Sequence, residues 1–261
     1  CNKSVNPVQD IKTFIEPETF SVLVDKNRER TEKYRRTTLV RQRQSLTHFI
    51  DSVKDNEFQD KGLFKVALNM SGTLFRYNVG PKGEGFILCP HCGYSSPKNA
   101  FPLGRSHPRL RTFSNGSNCN QLPWLKEIVY GHQFRSCCLI ARPIYQPASI
   151  ESLAFALRKG LCNVLDLDTY DIGVSWRWVD NRIIGTGEII LYDHTPGGAG
   201  FVKEGFDNWE QVVNKSLDIC ANCVCERACY DCLKDYGNQN YHEKLNRKSI
   251  VESLSAGIQR K

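Results

Sequence analysis

The spacing of apolar positions changes along the chain. In VALNMSGTLFRYNVG, residues 66–80, and again in EGFILC, residues 84–89, apolar residues alternate or cluster at strand spacing, with glycine-containing turns between them. That pattern predicts a small sheet. FRSCCLIARPI, residues 134–144, is a continuous apolar run and predicts a buried strand. The period then lengthens: Ile150, Leu153, Ala154 and Leu157 recur along one helical face behind Ser149, a residue suited to capping a helix. The predicted helix, SIESLAFALRKGLCNVL, is interrupted near Gly160. Two further strands, TYDIGVSWRWV and GEIILYD, flank the turn residues DNRIIGTG. Trp176 and Trp178 share a face of the first by period two; such pairs can stack on unpaired bases, although core packing is the commoner use.

GEIILYD runs into HTPGGAGFV and then a helix, FVKEGFDNWEQVVNKSLDIC, with Trp209, Val213 and Leu217 at helical spacing. Asp193 stands at the strand end, and Gly197, Gly198 and Gly200 free the backbone of the turn. Backbone N–H groups at such a helix start can hold a phosphate. The turn matches neither a Walker A loop nor a G-x-G-x-x-G fingerprint, and a tight strand-to-helix crossover explains it equally well. Residues 1–20 read as extended, ending at FIEPETF where Pro17 excludes a helix.

Cysteine changes this picture. Of twelve in the chain, five fall in CANCVCERACYDC, residues 220–232. A disulfide framework belongs to small secreted chains that cannot build a core, and a chain of 261 residues, 40% hydrophobic, can build one. Cys223, Cys225, Cys229 and Cys232, spaced C-x-C-x3-C-x2-C, let four thiolates converge on one ion, for which zinc suits both the ligands and the closed tetrahedral geometry. An iron–sulfur cluster would use the same residue type. Cys220 is the spare and could replace Cys223. Upstream, Cys89 and Cys92 sit in LCPHCGY, one knuckle of a zinc-ribbon-like element whose remaining donors are expected at His107 and Cys119, with Cys137 and Cys138 competing for the last place. Buried free thiol is the alternative reading for Cys137, Cys138 and Cys162, and His91 is read as facing solvent.

The expected architecture is therefore α+β, mixed α/β, with two zinc-binding sub-elements and about two zinc ions. A mainly β segment occupies 1–85 with a basic loop at 25–44; the zinc-ribbon-like element follows over 86–125. An α/β core with the glycine turn and its helix spans 126–219, and the four-cysteine knuckle with a helical tail spans 220–261.

Charge adds one more candidate surface. The formal net charge of +7 permits contact with nucleic acid without demanding it. In DKNRERTEKYRRTTLVRQRQ, residues 25–44, eight Lys or Arg face three acids, so Arg35, Arg36, Arg41 and Arg43 could track a phosphate backbone by counterion release, or form a solvated loop. No apolar run approaches the roughly 20 residues that span a bilayer, and CNKSVNPVQD lacks a signal segment, so the expected setting is soluble and cytoplasmic, with no membrane. Beginning at Cys1, with Met70 its single methionine, the chain reads as a piece of a longer polypeptide.

Taken together, YDHTPGGAGFV, the helix after it and CVCERACYDCLKDYGNQNYHEKLNR resemble the C-terminal zinc-binding module of DEAD/DEAH-type superfamily-two helicases. The module is known from the MrfA-type repair helicases, and the resemblance is closer still to the DrmA and DrmB proteins of the DISARM phage-defence system. Asp193, Pro196, Gly197, Gly198 and Gly200 match the first part of the family pattern, and Cys223, Cys225, Cys229 and Cys232 match its knuckle. Tyr236, Asn238, Gln239, His242, Leu245 and Arg247 match its tail, where Asn246 replaces the usual Asp. LCPHCGY and the Gly131, His132, Phe134 strand also resemble the family, so the likeness covers residues 86–255.

The resemblance implies a helicase-associated part that guides or clamps DNA, single-stranded or duplex, beside a helicase core in the same chain or in a partner subunit. The chain carries no P-loop and no Asp-Glu-x-His or Asp-Glu-x-Asp box, so it is not expected to hydrolyse ATP itself. HEKLNRKS departs from a phospholipase-D-type nuclease motif, with Ser249 where Asp should stand. The rival from another class is a protein-docking module that assembles a helicase complex without touching nucleic acid.

Overall fold

A computed structural model of the chain describes residues 14–15, 45–80, 83–98, 106–107, 119–120, 126–179 and 186–258. Arg35, Arg36, Arg41 and Arg43 lie outside these residues. In chain order the strands are β1 (Phe14–Ile15), β2 (Ser45–Phe49), β3 (Gln59–Lys61), β4 (Phe64–Asn78), β5 (Phe86–Leu88), β6 (Ser95–Pro97), β7 (Lys126–Pro143), β8 (Ile172–Val179) and β9 (Thr186–Asp193). The helices are α1 (Ile150–Val164), α2 (Phe201–Asp207), α3 (Trp209–Ala221) and α4 (Arg247–Ile258), and a 3-10 turn covers Tyr236–Tyr241. The chain divides into two units, residues 1–46 with 76–132 and residues 47–75 with 133–261.

In the first unit, β5 pairs antiparallel with β6, Leu88 opposite Ser95, and with the start of β7, Phe86 opposite Ile128. β1 lies parallel to β7, with Phe14 opposite Val129. Gly85, at φ 79°, brings its α-carbon so close to Ile128 that an added Cβ would stand 2.8 Å from the Ile128 carbonyl oxygen. The strand pairing therefore requires glycine at that point.

In the second unit, β7 pairs antiparallel with β9 from Cys138 opposite Tyr192 to Ala141 opposite Ile189, and β9 pairs along its whole length with β8. The two-residue strand period sorts the side chains into two cores. Leu139, Ala141, Ile189 and Leu191 join the helices, whereas Cys138, Ile140, Ile190 and Tyr192 pack with Phe49 and Leu74. Successive residues Cys137 and Cys138 accordingly enter different clusters, as a buried strand should arrange them. Glu188 is fully buried, yet it is bonded on both oxygens: Arg142 Nε donates at 2.6 Å and Arg177 Nε at 2.6 Å. Arg177 also donates to the Phe49 and Asp51 carbonyls, so a charge that burial would penalise ties three strands to the loop after β2.

Three local expectations change. The sheets are larger than the short one predicted, since β4 runs for 15 residues and β7 for 18. Helix α1 is continuous through Gly160, because the absent side chain there faces α3: a Cβ would meet Ser216 Oγ at 2.1 Å and the Val212 oxygen at 2.6 Å. Glycine in this helix serves close packing rather than a break. The helix expected after Gly200 is two helices, α2 and α3, divided at Asn208, whose amide nitrogen donates to the Glu204 carbonyl at 3.0 Å. A side chain that competes for backbone hydrogen bonds favours such a break. Trp176 faces the interior against Phe155 and Tyr241, with ring centroids 5.8 and 5.0 Å away.

Candidate metal centres

The knuckle at the end of α3 is built by backbone turns. Leu233 and Lys234 N–H groups donate to the Cys229 carbonyl at 3.1 and 2.8 Å, and the Cys229 N–H points at Cys232 Sγ, 3.2 Å away. These turns bring four sulfurs together: Cys223 to Cys225 at 3.4 Å, Cys223 to Cys229 at 3.4 Å, Cys225 to Cys232 at 3.6 Å and Cys229 to Cys232 at 3.9 Å. An ion with Zn–S bonds of about 2.3 Å in a tetrahedron sets its sulfurs about 3.8 Å apart, and the observed spacings bracket that value. N–H donation from Cys225 is the main reason the Cys223 thiol is pulled down to about 7, which favours the thiolate. Burial pushes the Cys225 and Cys232 thiols up, a cost that a bound cation offsets.

The upstream group sits in the first unit. Between β5 and β6, Gly93 at φ 71° closes a turn in which its N–H donates to the Cys89 carbonyl at 2.8 Å and the Cys89 N–H donates to the Tyr94 carbonyl. His107 and Cys119 are antiparallel partners that exchange backbone bonds at 2.9 and 2.8 Å, so residues well separated in sequence become direct neighbours. Cys89 and Cys119 sulfurs are 4.0 Å apart, and Cys92 Sγ is 3.4 Å from His107 Nε2. All four residues are buried, and Tyr94 stacks on the imidazole at 5.4 Å. Burial lowers the His107 pKa, holding the ring in the neutral form that ligates metal.

In each group the donor atoms all lie within 4.8 Å of one another. The two Cys/His groups fit two zinc ions. Cys220, Cys137 and Cys138, the sequence-level competitors, are in neither group. All three are buried in apolar clusters, and burial raises their thiols, Cys220 to about 12 and Cys137 to about 11. Cys220 stays out of the knuckle because it lies in the last turn of α3 on the core-facing side.

The supports of the knuckle come from far along the chain. Arg247, at the start of α4, donates from Nε to the Cys225 carbonyl at 2.6 Å and from Nη1 to the Cys220 carbonyl at 3.0 Å, while its N–H reaches the Arg227 carbonyl at 2.7 Å. Arg158, from the middle of α1, pairs with Asp235, whose carboxylate also caps the 3-10 turn through the Gly237 and Asn238 N–H groups. Buried Asn238 donates to the Leu233 carbonyl at 2.8 Å, and its oxygen takes the Asp235 N–H and lies 2.9 Å from His242 Nε2. His242 is thus a member of the tail's hydrogen-bond frame. Asn246, in place of the family's Asp, still accepts from the Lys248 N–H at 3.0 Å and so caps α4. The motif resemblance marked Arg247 and Asn238 as matches without assigning them a task, since their partners follow from no local pattern.

The glycine turn has its own anion. Asp193 Oδ2 accepts from the Ala199 and Gly200 N–H groups, each at 2.7 Å, and Oδ1 accepts from Val202 at 3.0 Å. Of the two readings of this helix start, phosphate cradle and tight crossover, the structure favours the crossover, since the chain's own buried carboxylate takes the N–H groups. Gly198 permits this fold-back, since a Cβ would stand 3.0 Å from Cys137.

Each four-ligand group, one in each unit, fits a structural zinc ion: with all four positions supplied by protein, a tetrahedral ion would keep none for water or substrate. The model of the MrfA Zn-binding domain matches residues 153–233, from α1 through the four cysteines. Druantia protein DruE of Escherichia coli (strain UMEA 4076-1) is 27% identical over 63% of this chain and 10% of its own. An uncharacterized protein of Methanocaldococcus jannaschii, MJ1572.1, is 30% identical over 25% of this chain and 59% of its own. Among solved structures, the DUF1998 helicase MrfA bound to DNA aligns with 83% of this chain and 25% of its own, at 13% identity and a TM-score of 0.46. The chain thus spans about a tenth of the length of DruE. Among the described residues, no helix is long and apolar enough to cross a membrane.

Proposed function

We propose that this chain is a non-motor, zinc-stabilised accessory part of a DNA-remodelling helicase, or of that helicase's partner subunit, and that it guides or clamps DNA in the cytoplasm in phage defence or DNA repair. The observation that carries the reading is the match of the MrfA Zn-binding domain from α1 to the closed four-cysteine knuckle. The similarity to DruE and the motif resemblance to DISARM proteins favour the defence setting, and the finer placement in a DISARM-type system rests on that resemblance alone. Zinc ligation by Cys223, Cys225, Cys229 and Cys232 holds the end of α3 against the tail that begins at Tyr236, giving a rigid wall. Ligation by Cys89, Cys92, His107 and Cys119 fixes the β5–β6 turn in the same manner.

Asp193 takes the N–H groups at Ala199, Gly200 and Val202, so the turn at Gly197, Gly198 and Gly200 contributes shape to the guiding surface, and Arg35, Arg36, Arg41 and Arg43 contribute phosphate contacts to it. Neutralising those four arginines together tests this. DNA affinity should fall across all sequences, with the salt dependence flattened by about 0.7 to 0.9 in slope for each phosphate that is no longer neutralised. Zinc content and melting should hold. An unchanged slope would remove the arginines from the interface, and a parent chain that binds no DNA at low salt would favour the protein-docking reading instead.

A further inference from the structure

The zinc knuckle exposes aromatic rings that the core does not use. Of the three tyrosines in the knuckle and the turn after it, Tyr241 is packed inside against Phe155 and Trp176, at 5.5 and 5.0 Å. Tyr230 and Tyr236 are instead 54% and 71% exposed. They sit beside one another with ring centroids 5.8 Å apart at 45°, and His242 meets Tyr230 edge-on at 5.6 Å. Val224, 98% exposed, stands on the same knuckle. Large apolar side chains singly exposed need no explanation, but adjacent rings left in water on a rigid frame do.

Both rings are mounted on anchored backbone. Tyr230 lies between two metal-ligand candidates, Cys229 and Cys232, and its carbonyl accepts from Lys159 Nζ of α1 at 2.5 Å. Tyr236 opens the turn that Asp235 caps and Arg158 anchors. Basic side chains outnumber acidic ones in the segment that carries them, and offset the negative charge that four thiolates leave on a zinc site. From 223 to 248, Arg227, Lys234, Lys244, Arg247 and Lys248 stand against Glu226, Asp231, Asp235 and Glu243, of which Asp235 is paired with Arg158. Lys159 adds a further positive charge.

We propose that Tyr230 and Tyr236 form a stacking platform for successive unpaired bases of a single strand, with the lysines of this segment meeting its phosphates. Every base has a π-face, so aromatic platforms of this kind bind without sequence preference, and preorganised rings lose little entropy on binding. A duplex keeps its bases paired inside and offers the rings no equivalent surface. Of the two tryptophans that period two places on one strand face, Trp176 packs in the core and Trp178 is exposed without an aromatic partner beside it among the described residues, whereas the knuckle presents two adjacent exposed rings. This inference rests on the DNA-guiding reading and specifies its strand.

The test compares the 261-residue chain on two oligonucleotides of equal length, oligo-dT and an abasic deoxyribose-phosphate strand, over the same series of salt concentrations. The parent should bind oligo-dT at least about tenfold more tightly, because stacking accounts for the difference. Y230A/Y236A should bring the two affinities together without altering the salt slope, whereas Y230F/Y236F should keep the parent's preference. Equal parental affinity for both strands overturns the platform, and needs no variant to fold. DNA binding by the alanine variant that still prefers bases overturns it while leaving the guiding reading intact. A parent that binds neither strand overturns the platform, and one that also binds no duplex of the same length at low salt overturns the guiding reading as well.

Discussion

His48 shows how much one side chain reports on its surroundings. It lies in β2, and burial, assisted by the Arg177 guanidinium, lowers its pKa to about 4 from an ordinary 6.5. The unfolded chain therefore takes up a proton between those values that the folded chain refuses. Stability from this source is whole above pH 6.5 and is lost as pH falls through about 4. Melting temperature followed from about pH 7 to about pH 4.5 should fall less steeply in His48→Gln than in the parent. Metal release on acidification affects both proteins alike, so the difference between them isolates His48. Parallel curves would mean that His48 is solvated in the native state. Nothing in SLTHF announces this, because the shift depends in part on Arg177, which lies far along the chain in β8. The metal donors are the opposite case. Short-range cysteine spacing made Cys223, Cys225, Cys229 and Cys232 readable as a set. His107 and Cys119 were readable as donor types, and the adjacency of the pair comes from a strand bridge formed by folding.

Among the elements, α1 and α3 show why local pattern can mislead. Periodicity found both helices and the Ser149 cap, whose Oγ accepts from the Ser152 N–H at 3.1 Å. It read Gly160 as an interruption, because propensity sees the cost of glycine and cannot see a neighbouring helix. For an exposed helix, Gly→Ala would add about 1 kcal/mol of stability. At Gly160 the new methyl would enter space held by Ser216 Oγ and the Val212 carbonyl, and overpacking of this kind costs about 1–3 kcal/mol. The packing effect prevails. Gly160→Ala should lower stability by about 1 kcal/mol or more in denaturant unfolding. Adding Ser216→Ala should recover only part of it, since the backbone oxygen remains. A Gly160→Ala chain more stable than the parent would show that the helices stand farther apart. The glycine turn carries the same lesson. Its residues suit a phosphate cradle or a crossover, and the choice was made by Asp193, whose carboxylate folds back onto the helix start.

For the whole molecule, the mixed sheet-and-helix class and both cysteine-rich groups were legible in the sequence. The division into two units, formed when residues 47–75 join residues 133–261, was not, because it depends on pairings between distant segments. Metal in both groups, each ion holding its own segment of chain, is what the rest of the molecule depends on. Metal analysis of the purified chain tests this most directly. About two zinc ions per chain are expected, falling to about one in Cys229→Ser and about one in Cys92→Ser, with melting temperature lowered in each because site assembly supplies folding free energy. A metal-free chain with an unchanged melting temperature, a brown iron chromophore, or a Cys229→Ser variant that keeps both ions would contradict it.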